Sequence, residues 1–357
     1  MKKKRISGKT IFNISVFVLC VGMLAYFCLS ENGLADLLKS AENINLSWLF
    51  MAVFCHLLNI ALDAYLIYRF TKNNYPLYTF RNAMKASMVG QFFSCITPFA
   101  TGGQPMQIYL MSRQGVRGGV ATSGLMQKFL VYQTTLTLYS LLAILVRMDY
   151  FGQHLTPFLW SLAIFGFASQ AFVIVGILLF SFSRKLTHKL LVLVFTLLSK
   201  LHIIKDADAK IKGLESQLEA FHDGNRELYK NRKLLVETYV CTAVQLTTIF
   251  IVPYCVYRSF NLSGESILNM ISSQAFVTMA SCFVPLPGAA GASEFSFMAF
   301  FGSQFSPETL KSAVLVWRFI TYYFTMFMSA PFSRLAKQPK DGQNQESHDA
   351  DNHLQAG

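Results

Sequence analysis

Long apolar runs separated by short polar and basic stretches dominate the pattern along the chain. A run of about 20 apolar residues is long enough to cross the hydrocarbon core of a bilayer as a helix. The runs predict about six full membrane-spanning helices, which lie at about residues 11–30, 47–70, 120–146, 158–181, 234–257 and 309–331. The pattern therefore predicts an all-α polytopic membrane protein.

Two further apolar stretches are interrupted by proline and glycine. Residues 86–100 run into "TPFATGGQP", and residues 266–303 contain "SCFVPLPGAAGASEF". Proline removes a backbone donor, and glycine permits dihedral angles that other residues avoid. Residues 292–303 would form a helix of roughly 18 Å, which is too short to cross a bilayer. Each stretch is therefore predicted to be a re-entrant hairpin, and the two hairpins enter from opposite faces.

The basic residues indicate the orientation of the chain, because cytoplasmic loops of membrane proteins are rich in Lys and Arg. The N-terminal "MKKKRISGK", residues 184–233 and the stretch after 331 are basic, so both termini are predicted to be cytoplasmic. No small-residue cleavage site follows the first apolar run, which is therefore interpreted as a retained helix. Residues 336–357 lack a core-forming pattern and are predicted to be a disordered tail.

One segment of the basic region 184–233 has a helical apolar period. The apolar side chains that recur are Ile211, Leu214, Leu218, Phe221 and Leu228. This spacing predicts an amphipathic helix that lies on the membrane face or against the helix bundle.

Composition supports a membrane protein and excludes several other classes. Only 14% of the 357 residues are charged, whereas a soluble domain carries about 25%. The net charge of +12 is compatible with nucleic acid, but the cations flank apolar runs and so favour an anionic leaflet. The seven cysteines have no metal-ligand spacing, and no P-loop, GxSxG or HExxH motif occurs. We therefore predict no catalytic residue, no metal, no cofactor and no bound nucleic acid.

The predicted membrane domain spans residues 1–335. Its two halves, at about 10–147 and 158–332, have the same predicted order of elements. Each has two helices, a broken hairpin and one more helix, and the second half starts on the opposite side. "SCITPFATGG" resembles "SCFVPLPGAAG", and "KFLVY" resembles "RFITY". Inverted repeats with paired broken helices are typical of transporters whose site lies at the midplane.

Four charged residues fall within predicted membrane segments: Asp63, Lys128, Glu294 and Arg318. Each costs about 2.5–3.5 kcal/mol on insertion scales, so each is expected to be paired or to face a wet cavity. Glu294 and Arg318 are the favoured pair, and Lys128 and Arg318 are candidate phosphate ligands. The alternative is that Glu294 and Arg318 form a purely structural salt bridge and that Asp63 lies nearer the interface. His56, Asn59 and Asp63 share one helix face and are candidates for lining the same cavity.

The broken segments supply the remaining candidate residues for binding substrate. They are Thr97, Pro98, Gly102, Gly103, Pro105, Pro285, Pro287, Gly288 and Gly291. Half-helices that begin after these breaks would direct free N–H groups into the bundle, which suits an anion such as a lipid phosphate. The alternative is that Gly and Pro only allow close packing or kinks.

Three blocks of residues resemble a known family. "GQFFSCITPFATGGQPMQIYLM", "VPLPGAAGASEFSF" and "VLVWRFITYY" are similar to the signature blocks of the bacterial lysylphosphatidylglycerol synthetase/flippase membrane domain, part of the multiple peptide resistance factor family. The resemblance covers roughly residues 10–335. It implies movement of aminoacylated phosphatidylglycerol between leaflets and protection against cationic antimicrobial peptides. Long members add a cytosolic domain that makes this lipid from aminoacyl-tRNA, whereas only a polar tail follows Arg334 here.

Three functions stay open at this point. The first is a flippase for an anionic or aminoacylated phospholipid in a bacterial cell membrane. The second is a phosphatidylglycerol lysyltransferase, and the third is a membrane scaffold that holds a partner enzyme through the helix near 205–230. The expected partners are phosphatidylglycerol or its aminoacyl form, the membrane, and a separate synthetase or further copies of the chain.

Overall fold

The structure is a computed structural model that describes residues 44–185, 188–189, 192, 207–282 and 284–336. The predicted helix at 11–30 and the predicted tail from 337 onward lie outside these residues. The side chains of Ile211, Leu214 and Leu228 also lie outside the described part.

Helices form nearly all of the described chain. The first four are α1 (Leu46–Asn74), α2 (Phe80–Ile96), α3 (Gly103–Arg113) and α4 (Gly118–Val146). They are followed by α5 (Met148–His154), α6 (Pro157–Phe182), α7 (Ala207–Lys230), α8 (Arg232–Phe250) and α9 (Val252–Ser259). The last four are α10 (Ile267–Ser281), α11 (Ala292–Phe301), α12 (Pro307–Arg318) and α13 (Phe324–Ser329). Short 3₁₀ turns occur at Pro98–Ala100, Pro287–Ala289 and Ala330–Ala336, and a π-helical turn at Phe319–Tyr323.

The predicted all-α class is confirmed, since the described residues contain helices and no strand. Five helical stretches are long and apolar enough to cross a membrane: Leu46–Asn74, Gly118–Val146, Pro157–Ser181, Arg232–Ser259 and Pro307–Leu335. They correspond to the five predicted spans that fall within the described residues. Large apolar side chains such as Phe50 and Phe172 are exposed on their outer surfaces. Hydrocarbon is the solvent that suits such a surface, and the chain is a multi-pass membrane protein.

Two helix–break–helix units interrupt the spans. In the first unit α2 and α3 pack against each other across the turn at Pro98–Ala100, and in the second α10 and α11 pack across the turn at Pro287–Ala289. Phe276 of α10 stacks on Phe300 of α11 with ring centroids 5.0 Å apart. The main apolar core surrounds this second unit. The predicted hairpins therefore exist as local structures, while their re-entrant placement and the inverted relation of the two halves stay predictions.

Helix α7 docks against α4 instead of projecting away from the bundle. A Cβ on Gly224 would lie 2.7 Å from Ser123 Oγ, so a larger residue at this position would have to displace that side chain. Asn225 Oδ1 accepts hydrogen bonds from Ser123 Oγ and Gln127 Nε2, both at 3.0 Å. Phe221 is buried. Of the two predicted positions for the amphipathic helix, these contacts favour packing against the bundle.

Candidate functional site

A cavity of about 610 Å³ lies between α1, the first hairpin, α4, α8 and the last span. Its wall combines polar side chains with a few aromatic rings. The lining includes His56, Asn59, Asp63, Gln91, Ser94, Phe99, Ala100, Thr101, Gln104, Pro105, Gln107, Lys128, Tyr132, Gln245 and Thr325. Small-molecule sites in proteins have volumes of roughly 300–1,000 Å³, so this cavity is large enough for a lipid head group.

An ion pair between Asp63 and Lys128 stands in the wall of this cavity. Lys128 Nζ contacts Asp63 Oδ1, and Ser87 Oγ donates to Asp63 Oδ2 at 2.6 Å. The Lys128 side chain is 14% exposed and the Asp63 side chain is 10% exposed. Both residues lie well inside their spans. The pair therefore satisfies the expectation that a charge within the membrane is partnered or faces a polar space.

Neutral hydrogen-bonding groups make up much of the remaining wall. His56 Nε2 and Thr325 Oγ1 are 2.6 Å apart, and Asn59 Nδ2 donates to Gln245 O at 3.0 Å. Gln91, Gln104 and Gln107 add three further amides from the first hairpin. None of these glutamines is among the site residues predicted from the sequence. A signal for them does exist, since an amide inside an apolar run needs a polar partner or a wet surface.

The turns of the two hairpins, which we call tip 1 (Pro98–Ala100) and tip 2 (Pro287–Ala289), have the same backbone conformation. Each starts with proline, and the next two residues are left-handed. The φ angles are 52° and 55° in tip 1 and 60° and 49° in tip 2. The backbone thus aligns Pro98 with Pro287, whereas the similar blocks "SCITP" and "SCFVP" place Pro98 opposite Pro285.

Tip 1 opens into the cavity. Phe99, Ala100 and Thr101 line the cavity, as do Gln104 and Pro105 in the first turn of α3. The first N–H groups of a helix have no acceptor within the helix, and the dipole places positive charge at that end. This end of the cavity is therefore suited to an anionic group.

The backbone before α3 is fixed by two hydrogen bonds of one threonine. Thr97 Oγ1 accepts from Gly102 N at 2.9 Å and donates to Phe93 O at 2.7 Å. These contacts position the start of α3 relative to the end of α2.

Tip 2 is closed by a carboxylate of the protein itself. Glu294 Oε2 accepts from Gly291 N at 2.7 Å at the start of α11, and Glu294 Oε1 accepts from Arg318 Nε at 2.6 Å. Arg318 also donates from Nη2 to Gly288 O at 2.8 Å. The predicted pair Glu294–Arg318 is present, and both side chains are less than 10% exposed. These contacts favour the structural interpretation of the pair that the sequence left open.

One turn of the last span contacts both tips. Tyr322, in the π-helical turn, donates to Cys95 O at 2.8 Å beside tip 1. Its ring also packs against Gly288 of tip 2, and Arg318 lies one turn earlier. The two tips contact each other directly. Because π-helical turns often occur at functional sites, this turn is a candidate coupling element.

The predicted site residues therefore divide into two groups. His56, Asn59, Asp63, Pro105 and Lys128 line the cavity. The others are not part of its lining: Thr97, Pro98, Gly102, Gly103, Pro285, Pro287, Gly288, Gly291, Glu294 and Arg318. The two predicted phosphate ligands are thus separated, with Lys128 at the cavity and Arg318 behind tip 2.

The cavity is equipped for binding polar groups of either charge. It offers one ammonium, one carboxylate and several neutral donors and acceptors. Among the described residues no three His, Cys, Asp or Glu side chains are grouped to hold a metal ion.

Comparison with known proteins agrees with the resemblance in the sequence. A family model described as "Lysylphosphatidylglycerol synthase TM region" matches residues 11–329. A protein of Archaeoglobus fulgidus described as "UPF0104 membrane protein" is 24% identical over 257 residues. The match covers 71% of this chain and 75% of the archaeal protein.

Proposed function

Because the chain belongs to the family described as "Lysylphosphatidylglycerol synthase TM region", we propose that it moves the polar head group of an anionic or aminoacylated phospholipid across the bilayer. The observation that carries the proposal is the Asp63–Lys128 ion pair, which lies inside two spans and faces a cavity lined with amides. The head group would cross through this cavity while the acyl chains stay in the hydrocarbon. The protein then replaces the water that the head group loses.

The charges of the cavity favour an aminoacylated lipid over a purely anionic one. A phosphate would bind Lys128 and the positive end of α3, which frees Asp63 from its partner. A head group that also carries an ammonium supplies a new partner for Asp63, so no buried charge is left alone. A plain anion leaves Asp63 uncompensated, and breaking a buried pair in that way costs about 3–5 kcal/mol.

A translocation assay with reconstituted protein tests the proposal. Lysyl-phosphatidylglycerol and phosphatidylglycerol, each with a fluorescent acyl chain, are incorporated into proteoliposomes, and an impermeant reductant bleaches the outer leaflet. The wild-type protein should move both lipids, and the lysyl form should move faster. Lys128→Met and Asp63→Asn should slow transport of the lysyl lipid about tenfold or more, as expected for the loss of one charged contact worth at least about 1.4 kcal/mol.

The control variant removes a comparable carboxylate outside the cavity. Glu237 pairs with Arg69 at 2.5 Å between α8 and α1, and it does not line the cavity. Glu237→Gln should therefore retain transport when the reconstituted amounts are matched. Equal rates for wild type, Lys128→Met and Asp63→Asn would reject the cavity as the transport site.

The family description also names a synthase, so lysyl transfer needs its own measurement. Lipids are extracted from cells without endogenous lysyl-phosphatidylglycerol that express only this chain. We expect no new lysyl-phosphatidylglycerol, because the proposal assigns synthesis to a separate enzyme. Its appearance would make the chain, or the chain with a host partner, a transferase.

A role in resistance follows from the proposed transport. Placing a lysylated lipid in the outer leaflet of a bacterial plasma membrane lowers the negative surface charge that attracts cationic peptides. Cells that also contain a lysyl-phosphatidylglycerol synthetase should therefore become less sensitive to such peptides when the wild-type chain is expressed, and Lys128→Met should abolish the gain. Equal protection by the variant would separate resistance from the cavity.

A further inference from the structure

A second pocket, separate from the cavity, lies where the end of α6 meets α7. Its volume is about 500 Å³, and it shares no lining residue with the cavity. Its lining consists of Ser181, Arg184, His222, Asn225, Arg226, Tyr229 and Lys230. We call it the α6–α7 pocket.

The rim of the α6–α7 pocket is positively charged. Arg184, Arg226 and Lys230 are exposed, and the lining contains no carboxylate. Arg184 donates to Asp223 at 2.8 Å just outside the lining, so its charge is partly balanced. Arg226 and Lys230 are four residues apart on α7 and therefore project from one side of the helix. The rim is suited to an anion.

The floor of the pocket contains polar atoms that lack partners. Ser181 and His222 are 3% and 6% exposed. In the described part of the chain, Ser181 Oγ and His222 Nε2 have no hydrogen-bond partner. Buried polar groups are normally satisfied, and an unsatisfied group costs about 1–3 kcal/mol. Two such atoms in the floor of one pocket indicate a ligand that supplies their partners.

The chemistry of His222 narrows the class of ligand. Burial lowers the pKa of His222, so the imidazole is neutral at physiological pH. Its Nδ1 lies 3.3 Å from the carbonyl oxygen of Ser181, which places the proton on Nδ1. Nε2 is then an acceptor, and its natural partner is a hydroxyl group. The rim is therefore suited to an anion, and the floor is suited to a hydroxyl group.

The position of the pocket favours a lipid as the source of these groups. Ser181 is the last residue of the span Pro157–Ser181, and Arg184 follows three residues later. The end of a span lies at the level of the lipid head groups. We infer that the α6–α7 pocket binds a phosphodiester head group that carries a free hydroxyl, with the phosphate on Arg226 and Lys230 and the hydroxyl on His222.

The test compares two lipids of equal charge. The protein is placed in phosphatidylcholine nanodiscs that contain either phosphatidylglycerol or phosphatidylmethanol, a phosphodiester without a hydroxyl. Native mass spectrometry counts the retained anionic lipids, and hydrogen exchange reports on residues 218–230. The wild-type protein should retain one more phosphatidylglycerol than the variant Arg226→Gln/Lys230→Gln, and its apparent affinity should be about tenfold higher, which corresponds to about 1.4 kcal/mol.

Two variants separate the pocket from the general basic character of this surface. Lys233 is exposed three residues after Lys230 and does not line the pocket. Lys233→Gln should therefore bind phosphatidylglycerol like the wild type. His222→Phe should reduce the preference for phosphatidylglycerol over phosphatidylmethanol without removing anion binding.

The remaining arm distinguishes a lipid from a free phosphate compound. Glycerol 3-phosphate is added to the protein in neutral detergent. Protection of residues 218–230 by phosphatidylglycerol alone identifies a lipid site, and protection by both compounds identifies a phosphate site that either source fills. The inference is overturned if neither compound protects this segment, if the double variant binds like the wild type, or if the two lipids bind equally.

Discussion

Adding one methyl group at Gly288 in tip 2 should clearly destabilise the folded protein. Its φ angle is +60°, and a Cβ built there would lie 2.7 Å from Tyr322 Cδ2 and closer still to Cε2. Phe99 occupies the matching position of tip 1 with a φ of 52°, so the conformation by itself does not demand glycine. The ring of Tyr322 requires glycine at this position, because no room for a side chain remains between the ring and the backbone of tip 2.

The cost of Gly288→Ala can be worked out from these contacts. A left-handed alanine costs about 1–2 kcal/mol. Moving the tyrosine ring also breaks the hydrogen bond from Tyr322 to Cys95 O, and disrupting a hydrogen bond between buried groups costs about 1–3 kcal/mol. Gly288→Ala should therefore lower the free energy of unfolding by about 2–5 kcal/mol.

The measurement is unfolding in mixed micelles, followed by tryptophan fluorescence. Gly264→Ala is a comparison without a clash, because no atom lies within 4 Å of an added Cβ, but its φ of +121° lies outside the left-handed well and costs an alanine more than the +60° of Gly288 does. It should carry only the conformational cost. In a Tyr322→Ala background, Gly288→Ala should cost about 1–2 kcal/mol, since the clash is gone. An undiminished loss in the Tyr322→Ala background would show that the ring of Tyr322 is not the cause.

Four further substitutions and one double variant test other contacts by the same unfolding measurement. Asp63→Asn and Lys128→Met should each lower the free energy of unfolding by about 3 kcal/mol and the double variant by clearly less than the sum; strictly additive losses would show that the two charges are not coupled. Glu294→Gln keeps an acceptor for the N–H of α11 but removes the charge that pairs with Arg318, and a loss of about 3 kcal/mol is expected; an unchanged stability would contradict the buried pair. Phe99→Gly relieves a left-handed side chain that is 57% exposed and should stabilise the protein by up to about 1 kcal/mol; a clear loss would mean that the phenyl ring contributes packing.

Much of the architecture could be predicted because the bilayer imposes simple rules on a sequence. Five predicted spans agree with helices of the structure, since length and apolar content decide them. The pair Glu294–Arg318 was also predictable, because two opposite charges inside apolar segments need each other. Breaks near Pro98 and Pro285 were also predictable from the chemistry of proline and glycine, although the second turn begins two residues later, at Pro287.

The cavity itself could not be predicted from the sequence, because its lining depends on how the helices pack. Asp63 and Lys128 are far apart in the chain, and their contact depends on how α1 packs against α4. An amide such as Gln107 in an apolar run can satisfy itself in a cavity, against a neighbouring helix or with its own backbone, and only the packing decides. The separation of Arg318 from Lys128 likewise results from Glu294, which occupies the start of α11 in the way that a bound anion would.

The proposed transport requires a lipid head group to enter the cavity beside Asp63 and Lys128. Photo-crosslinking tests it most directly, with a phospholipid that carries the reactive group on its head group and peptide mapping of the labelled protein. We expect labels on the cavity segments 56–63, 91–107 and 125–132. These labels should be lost in Lys128→Met and retained in Glu237→Gln. Labels confined to outward-facing positions such as Phe172, and unchanged in Lys128→Met, would contradict it.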